Sequence, residues 1–156
     1  LLLTCIGVGL ATGIMLPAIG KARQNAMGMK SVAQLQQIEQ AISIAAADPN
    51  LTIDSTQNLI DNGLVTPQTL SSPLGPVGDD KGDYWIAFDR PDPSEVSAPE
   101  KYIVAYDRAM YASEPMVAAC LLNGTCETLK VNKFDSLLND PANADREFNL
   151  PKRQLN

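Results

Sequence analysis

"LLLTCIGVGLATGIMLPAIGKAR", residues 1–23, is the stretch on which the reading of the fold turns. Twenty residues pass before the first charge, Lys21, and Pro17 sits near the end of the run. As a helix, such a run rises about 30 Å, the depth of a bilayer's hydrocarbon core. A cleaved secretory signal has a basic start and a shorter apolar core. Here no charge precedes Lys21, so the run is expected to be a retained helix. Pro17 removes one backbone hydrogen bond and loosens the turn before it. Gly7, Gly9, Gly13 and Gly20 add weak points. Gly9 and Gly13 form the G-x-x-x-G spacing that lets helices approach closely in an apolar setting. Small-residue spacing alone is ordinary; together with the proline it describes a helix that packs against copies of itself. Leu1, Leu2, Leu3, Ile6 and Val8, then Leu10, Ile14, Leu16, Pro17 and Ile19, are the side chains expected to meet lipid or sister helices.

Beyond Lys21 the helical pattern turns one-sided. Val32, Leu35, Ile38, Ile42 and Ala45 recur at spacings of three or four, while Gln36, Gln37, Glu39 and Gln40 face elsewhere. Asp48-Pro49 stops the pattern. The chain therefore divides into four parts: an apolar membrane or filament-core helix at 1–23, its amphipathic continuation at 24–48, a globular head at 49–140, and a polar tail at 141–156 that wraps the surface or stays loose.

The 156 residues carry a net charge of −6, and all eighteen acidic residues follow Lys30. A head of that sign repels phosphate, so no nucleic-acid binding is expected. Histidine is absent. That removes the commonest general base and metal ligand, and with it every Ser–His or Cys–His nucleophile pair. The expectation is a protein that is not an enzyme and takes no cofactor.

In the head, Ser55 or Asp54 can cap a short helix through Ile60, closed by Asn62-Gly63. Tyr84 to Phe88 alternates as a strand, with Tyr84, Ile86 and Phe88 on one face, and Tyr102 to Tyr106 reads as a second. Met116 to Leu121 and Cys126 to Val131 read as a hairpin around Asn123-Gly124, and Phe134 to Leu138 as a last helical turn. Four short strands after a long helix predict an α+β fold, with an antiparallel sheet laid on the helix's apolar stripe.

The hairpin loop decides the fate of two of the three cysteines. With a two-residue turn Cys120 faces Glu127 and no bridge forms. With a three-residue loop, Leu122-Asn123-Gly124, and Gly124 left-handed, Cys120 lies opposite Cys126 and Val117 faces Leu129 on the other surface, toward the core. The reading adopted is the bridge, which implies an oxidising compartment. Cys5 reads as a thiol buried with its apolar neighbours.

Several other candidates reduce to ordinary structure. Asp79, Asp80 and Asp83 gather in "GDDKGD", and calcium takes such oxygen ligands. Lys81 in their midst and the lack of a twelve-residue ligand pattern make a solvated acidic loop the default. Asp89 and Asp92 flank Arg90 like paired carboxylates, but Pro91 and Pro93 make a rigid surface turn. Trp85, Tyr84, Tyr102, Tyr106 and Tyr111 are read as core or interface. Asn50-Leu51-Thr52 and Asn123-Gly124-Thr125 match the N-glycosylation pattern. The turn accounts for Asn123, which leaves Asn50 as the candidate.

"IMLPAIGKARQNA" resembles the N-terminal helix of type IV pilins and type II secretion pseudopilins, with Leu16-Pro17-Ala18 and Lys21-Ala22-Arg23 in matching places. In that family a glutamate stands a few residues into the mature helix, and counting back from Pro17 it falls before Leu1. "LIDNGLVTPQTLSSP" and "YIVAYDRAMYASEPMVAACLLNGTCETL" resemble bacterial prepilin-like proteins whose second half has a strand, a histidine and an Asp-Gly turn; here Ser113 and Asn123-Gly124 stand in their places. Some pseudopilins hold calcium in a loop, which bears on Asp79, Asp80 and Asp83. The resemblance implies a pilin-like fold and a filament of identical subunits, held first in inner-membrane lipid and then extruded to the cell surface by an assembly machinery. A membrane-anchored extracytoplasmic binding domain that never polymerises is the alternative.

Overall fold

The computed structural model describes residues 2–154, with side chains from Ile19 onward. Its elements are α1 (Leu2–Ala47), α2 (Thr56–Asp61), β1 (Tyr84–Ile86), β2 (Ile103–Asp107), α3 (Arg108–Ser113), β3 (Met116–Leu121), β4 (Cys126–Lys130) and α4 (Val131–Leu138). The strands form one antiparallel sheet in the order β1-β2-β3-β4. This is an α+β fold, a long helix laid across a four-stranded meander, as the periodicities predict.

The helix sits on the sheet through the stripe the sequence marks. Leu35, Ile38 and Ala41 pack with Leu59, Val65, Tyr84, Val104, Ala118 and Cys120. Ile86 and Phe88 join Tyr84 on that side, as expected, although the strand itself ends at Ile86. Ser55 caps α2 by accepting the Asn58 amide, and Gly63 turns left-handed at its end (φ 68°).

A second core lies on the sheet's other face, built from Ile103, Tyr106, Val117, Leu129, Phe134 and Phe148. Two features create it. The register shifts between Ile103 and Ala105, so Ile103 and Tyr106 share the outer face, which strict alternation would forbid. α4 then begins at Val131, not at Phe134, and its Val131 and Phe134 cover that face. The tail completes the cover, with Phe148 only 7% exposed. Wrapping, not looseness, is its observed state.

The hairpin takes the three-residue form. The Gly124 amide donates to Leu121 O at 2.9 Å, the Leu121 amide donates to Thr125 O at 2.8 Å, and Gly124 is left-handed at φ 87°. Cys120 pairs with Cys126 and the two are bridged, their Cα atoms 4.1 Å apart. One expectation is corrected. Val117 and Leu129 do face each other, but in the outer core, while Cys120 is fully buried on the α1 side. The sheet is covered on both faces, so the cysteines are not on a solvent face.

Candidate assembly surface

Among the described residues, the head grips α1 along one stripe. Ser31, Leu35, Ile38, Ala41 and Ala45 are buried at spacings of three and four, and Gly28 is the first buried residue of the helix among those described. At Gly28 the helix lies close against β4 and α3. A Cβ there would stand 3.1 Å from Thr128 Cγ2 and 3.5 Å from Met110 Cε. N-terminal to Met27, residues 19–26 are all exposed, Ile19 by 62%. Met29, 73% exposed, faces solvent beside them. An apolar groove of 280 Å³ opens where the helix leaves the head, with Met27, Met29, Leu74, Met110 and Met116 on its walls.

Leu1, Leu2, Leu3, Ile6, Val8, Leu10, Ile14, Leu16 and Pro17 lie outside the residues whose side chains are described. Among the described residues, no helix is long and apolar enough to cross a membrane.

The junction between α1 and the head is polar, a feature that no periodicity in the chain signals. Asp107, at the end of β2, is fully buried. Its Oδ2 accepts from Ser31 Oγ of α1 at 2.6 Å and from Ser72 Oγ at 2.9 Å, and its Oδ1 caps α3 by accepting the Met110 amide at 2.9 Å. Tyr84 Oη lies 3.4 Å from Ser31 Oγ and donates to Gln34 Oε1 at 3.0 Å. Burial pushes the Asp107 carboxyl above its ordinary range, against the pull of Ser31, the Met110 amide and Ser72. Tyr84 is pushed up by burial and by the nearby Asp107. One carboxylate thus ties the helix, the 72 loop, β2 and α3 together. Ser31 occupies a core position of α1, one turn before Leu35; Asp107 is a helix cap followed by a run too short to show a period.

The next residue, Arg108, has a side chain 1% exposed and closes the acidic loop. Its guanidinium grips Asp79 in a two-pronged ion pair, at 2.8 and 2.6 Å, and donates to Asn149 O at 2.9 Å. The Arg108 hydrogen bonds hold Asp79 down to about 2. Asp83 accepts the amides of Ser72 and Val77. Of the three candidate calcium ligands only Asp80 is left without such a partner among the described residues. No cluster of three acidic, cysteine or histidine side chains able to hold a metal occurs among those residues.

The remaining candidates are placed as follows. Asn50 is exposed, its side-chain amide donating to Asp48 Oδ1. Asp92 caps a 3-10 turn by accepting the Ser94 amide, with the Ser94 hydroxyl as the main cause of its lowered pKa. Arg90 forms a bidentate pair with Glu39 of α1, so it clamps the helix instead of serving a carboxylate pair. Ser113 is exposed and donates to Ala109 O within α3. The aromatics are split between the two cores, Tyr84 and Tyr102 on the α1 side, Tyr106 and Tyr111 outside with Trp85 against them. Searches of protein-family models, curated proteins and solved structures find no match to this chain.

Proposed function

We propose that this chain is a structural subunit of a filament of the pilin or pseudopilin kind, polymerising through its N-terminal helix. The observation that carries this reading is the mismatch between α1 and the head. The helix runs from Leu2, and among its described side chains the first that the head buries is near Gly28. About 25 residues, or about 37 Å of helix, lie N-terminal to the grip. Their sequence carries no charge as far as Gly20. Each large apolar side chain moved out of water contributes about 1.5–3 kcal/mol, so the stem needs lipid or sister stems around it. The methionine-walled groove beside Gly28 supports the same reading, because flexible thioethers adapt to an apolar neighbour. On this reading the stem rests in the inner membrane before an assembly machinery moves the subunit into a cell-surface fibre.

Removal of residues 1–23 tests it. The shortened chain should sediment as a soluble monomer, while the full chain gives helical fibres in electron micrographs. Fibres from the shortened chain, or full-length chains that stay singly dispersed, overturn the reading.

A further inference from the structure

The C-terminal segment is held differently from the rest of the head. Three successive carbonyls accept hydrogen bonds from side chains of the sheet region. Trp85 Nε1 donates to Glu147 O at 3.0 Å, Tyr106 Oη to Phe148 O at 2.6 Å, and Arg108 Nε to Asn149 O at 2.9 Å. Between these contacts the Phe148 ring enters the outer core, its centroid 4.7 Å from that of Trp85. Arg146 lies 3.9 Å over the Tyr102 ring and donates to Ile103 O at 2.7 Å. Asp145 and Asn149 are both left-handed (φ 62° and 48°), turning the chain into this seat and out of it. Glu147, Asn149 and Leu150 face solvent.

What the segment lacks is a strand ladder. Among the described residues, the one backbone-to-backbone bond beyond Ala144 joins the Gln154 amide to Ala112 O. A segment fixed by one aromatic side chain, one guanidinium and three side-chain donors is a peptide seated in a groove. Its release breaks none of the sheet's own pairing.

We propose that this groove is an interaction surface for the Arg146–Leu150 segment of a second copy of the chain, which replaces the resident tail by exchange. The argument is one of identity. The contacts that seat the segment are made to its backbone carbonyls, to Phe148, to Arg146 and to the Asn149 side chain, whose Oδ1 accepts from Lys81 Nζ at 3.3 Å, and each copy presents the same groups. Exchange of an identical element between copies costs no contact and needs only that the resident segment leave. The inference does not depend on polymerisation through α1.

The test uses full-length chain in mild detergent and a fluorescent peptide spanning residues 144–154. A Phe148→Ala chain, whose own tail is loosened, should bind the peptide saturably at one per chain. The same peptide carrying Phe148→Ala should bind about tenfold more weakly, as should the natural peptide to the unaltered chain, whose groove is filled. A folded Phe148→Ala chain that binds neither peptide, or both equally, overturns the proposal. If that chain does not keep the far-ultraviolet circular dichroism of the unaltered protein, the unaltered protein decides the matter. Excess natural peptide should move the nuclear magnetic resonance signals of residues 146–150 in isotope-labelled chain to free-tail positions, and the Phe148→Ala peptide should not. Signals unmoved by either peptide, or moved equally by both, overturn it.

Discussion

Replacing Ser31 by alanine tests the polar junction directly. The Ser31 hydroxyl is buried and its bond to Asp107 Oδ2 is short, at 2.6 Å. A hydrogen bond to a charged group contributes about 1.5–3 kcal/mol net. Ser72 Oγ, at 2.9 Å, still serves the same oxygen after the change, which favours the lower half of that range. Alanine is also the better helix former, by about 0.5 kcal/mol. The expected loss is about 1–1.5 kcal/mol. Urea unfolding of the full chain in mild detergent, followed by the single tryptophan, Trp85, measures it as a lower midpoint at unchanged slope. Changing Ser31 and Ser72 together strips Oδ2 of both hydroxyls, so the pair should cost more than the sum by at least about 0.5 kcal/mol. The pH dependence has a definite sign. Asp107 is held above its ordinary range by burial, and the Ser31 bond pulls it back down. Without Ser31 the folded-state pKa rises further, so the penalty is small below the Asp107 titration and grows as pH rises through it. A loss under about 0.5 kcal/mol, or one equal in acid and at about pH 8, would refute the assignment of the carboxylate to this bond.

Three further changes probe other parts of the head. Gly28→Leu should cost about 1–3 kcal/mol by forcing α1 off Thr128, whereas Gly28→Ala should be near neutral, its tight 3.1 Å contact offset by helix propensity; thermal unfolding separates them. Asp79→Asn should destabilise the chain at neutral pH. Because Arg108 holds the folded-state carboxyl at about 2, below its ordinary 3.8, that stabilisation is present above the ordinary value and lost as pH falls from 3.8 toward 2, so variant and parent should converge in acid. Reducing the Cys120–Cys126 bridge, which closes a short loop of sequence separation 6, should lower the free energy of unfolding by about 2 kcal/mol, read from urea midpoints with and without reductant.

Where the sequence has a period, it reports the structure. Leu35, Ile38 and Ala45 fall where the helical stripe puts them, and the Cys120–Cys126 register follows from counting residues around a left-handed Gly124. Three things leave no such trace. The irregular register within β2 moves Tyr106 to the outer face and so creates a second core that alternation cannot show. α3 spans six residues, fewer than two turns, and is fixed by its Asp107 cap. The tail reads as polar because its one large apolar anchor is Phe148, and the three bonds at residues 147–149 to Trp85, Tyr106 and Arg108 are made through carbonyls that carry no residue identity. Asp107 and Arg108 are adjacent in sequence but serve different partners, one α1 and the other the tail. Nothing in two neighbouring opposite charges announces that division.

The position of the clasp bears on how a long stem can be aimed. Apolar contacts are non-directional, and the stripe on α1 repeats each turn, so burial alone tolerates sliding the helix by one turn along the sheet. Such a slip brings Met27 or Leu35 to the place of Ser31. Neither offers a donor, and the Asp107 carboxylate would lose its shortest hydrogen bond while fully buried, a penalty of about 1–3 kcal/mol or more for a charged group. Bulk at Gly28 adds a second barrier, because the slip replaces it with Gln24 or Val32 where a Cβ alone would stand 3.1 Å from Thr128 Cγ2. Gly28 and the Ser31 hydroxyl therefore help fix the helix in both position and rotation, with the Arg90–Glu39 pair farther along it. Gly28 and Ser31 do so within a turn of the point where it leaves the head, so an error there would swing or shift the whole stem. Ser31→Leu, which permits the slipped register its apolar contact while removing the shortest hydrogen bond of Asp107, should loosen that aim before it unfolds the head. A spin label at Arg23→Cys in a Cys5→Ala chain, measured against a second at Lys133→Cys, should then show a broadened distance distribution with the Trp85 emission unchanged. A distribution as narrow as that of the parent would mean that Ser31 does not set the register.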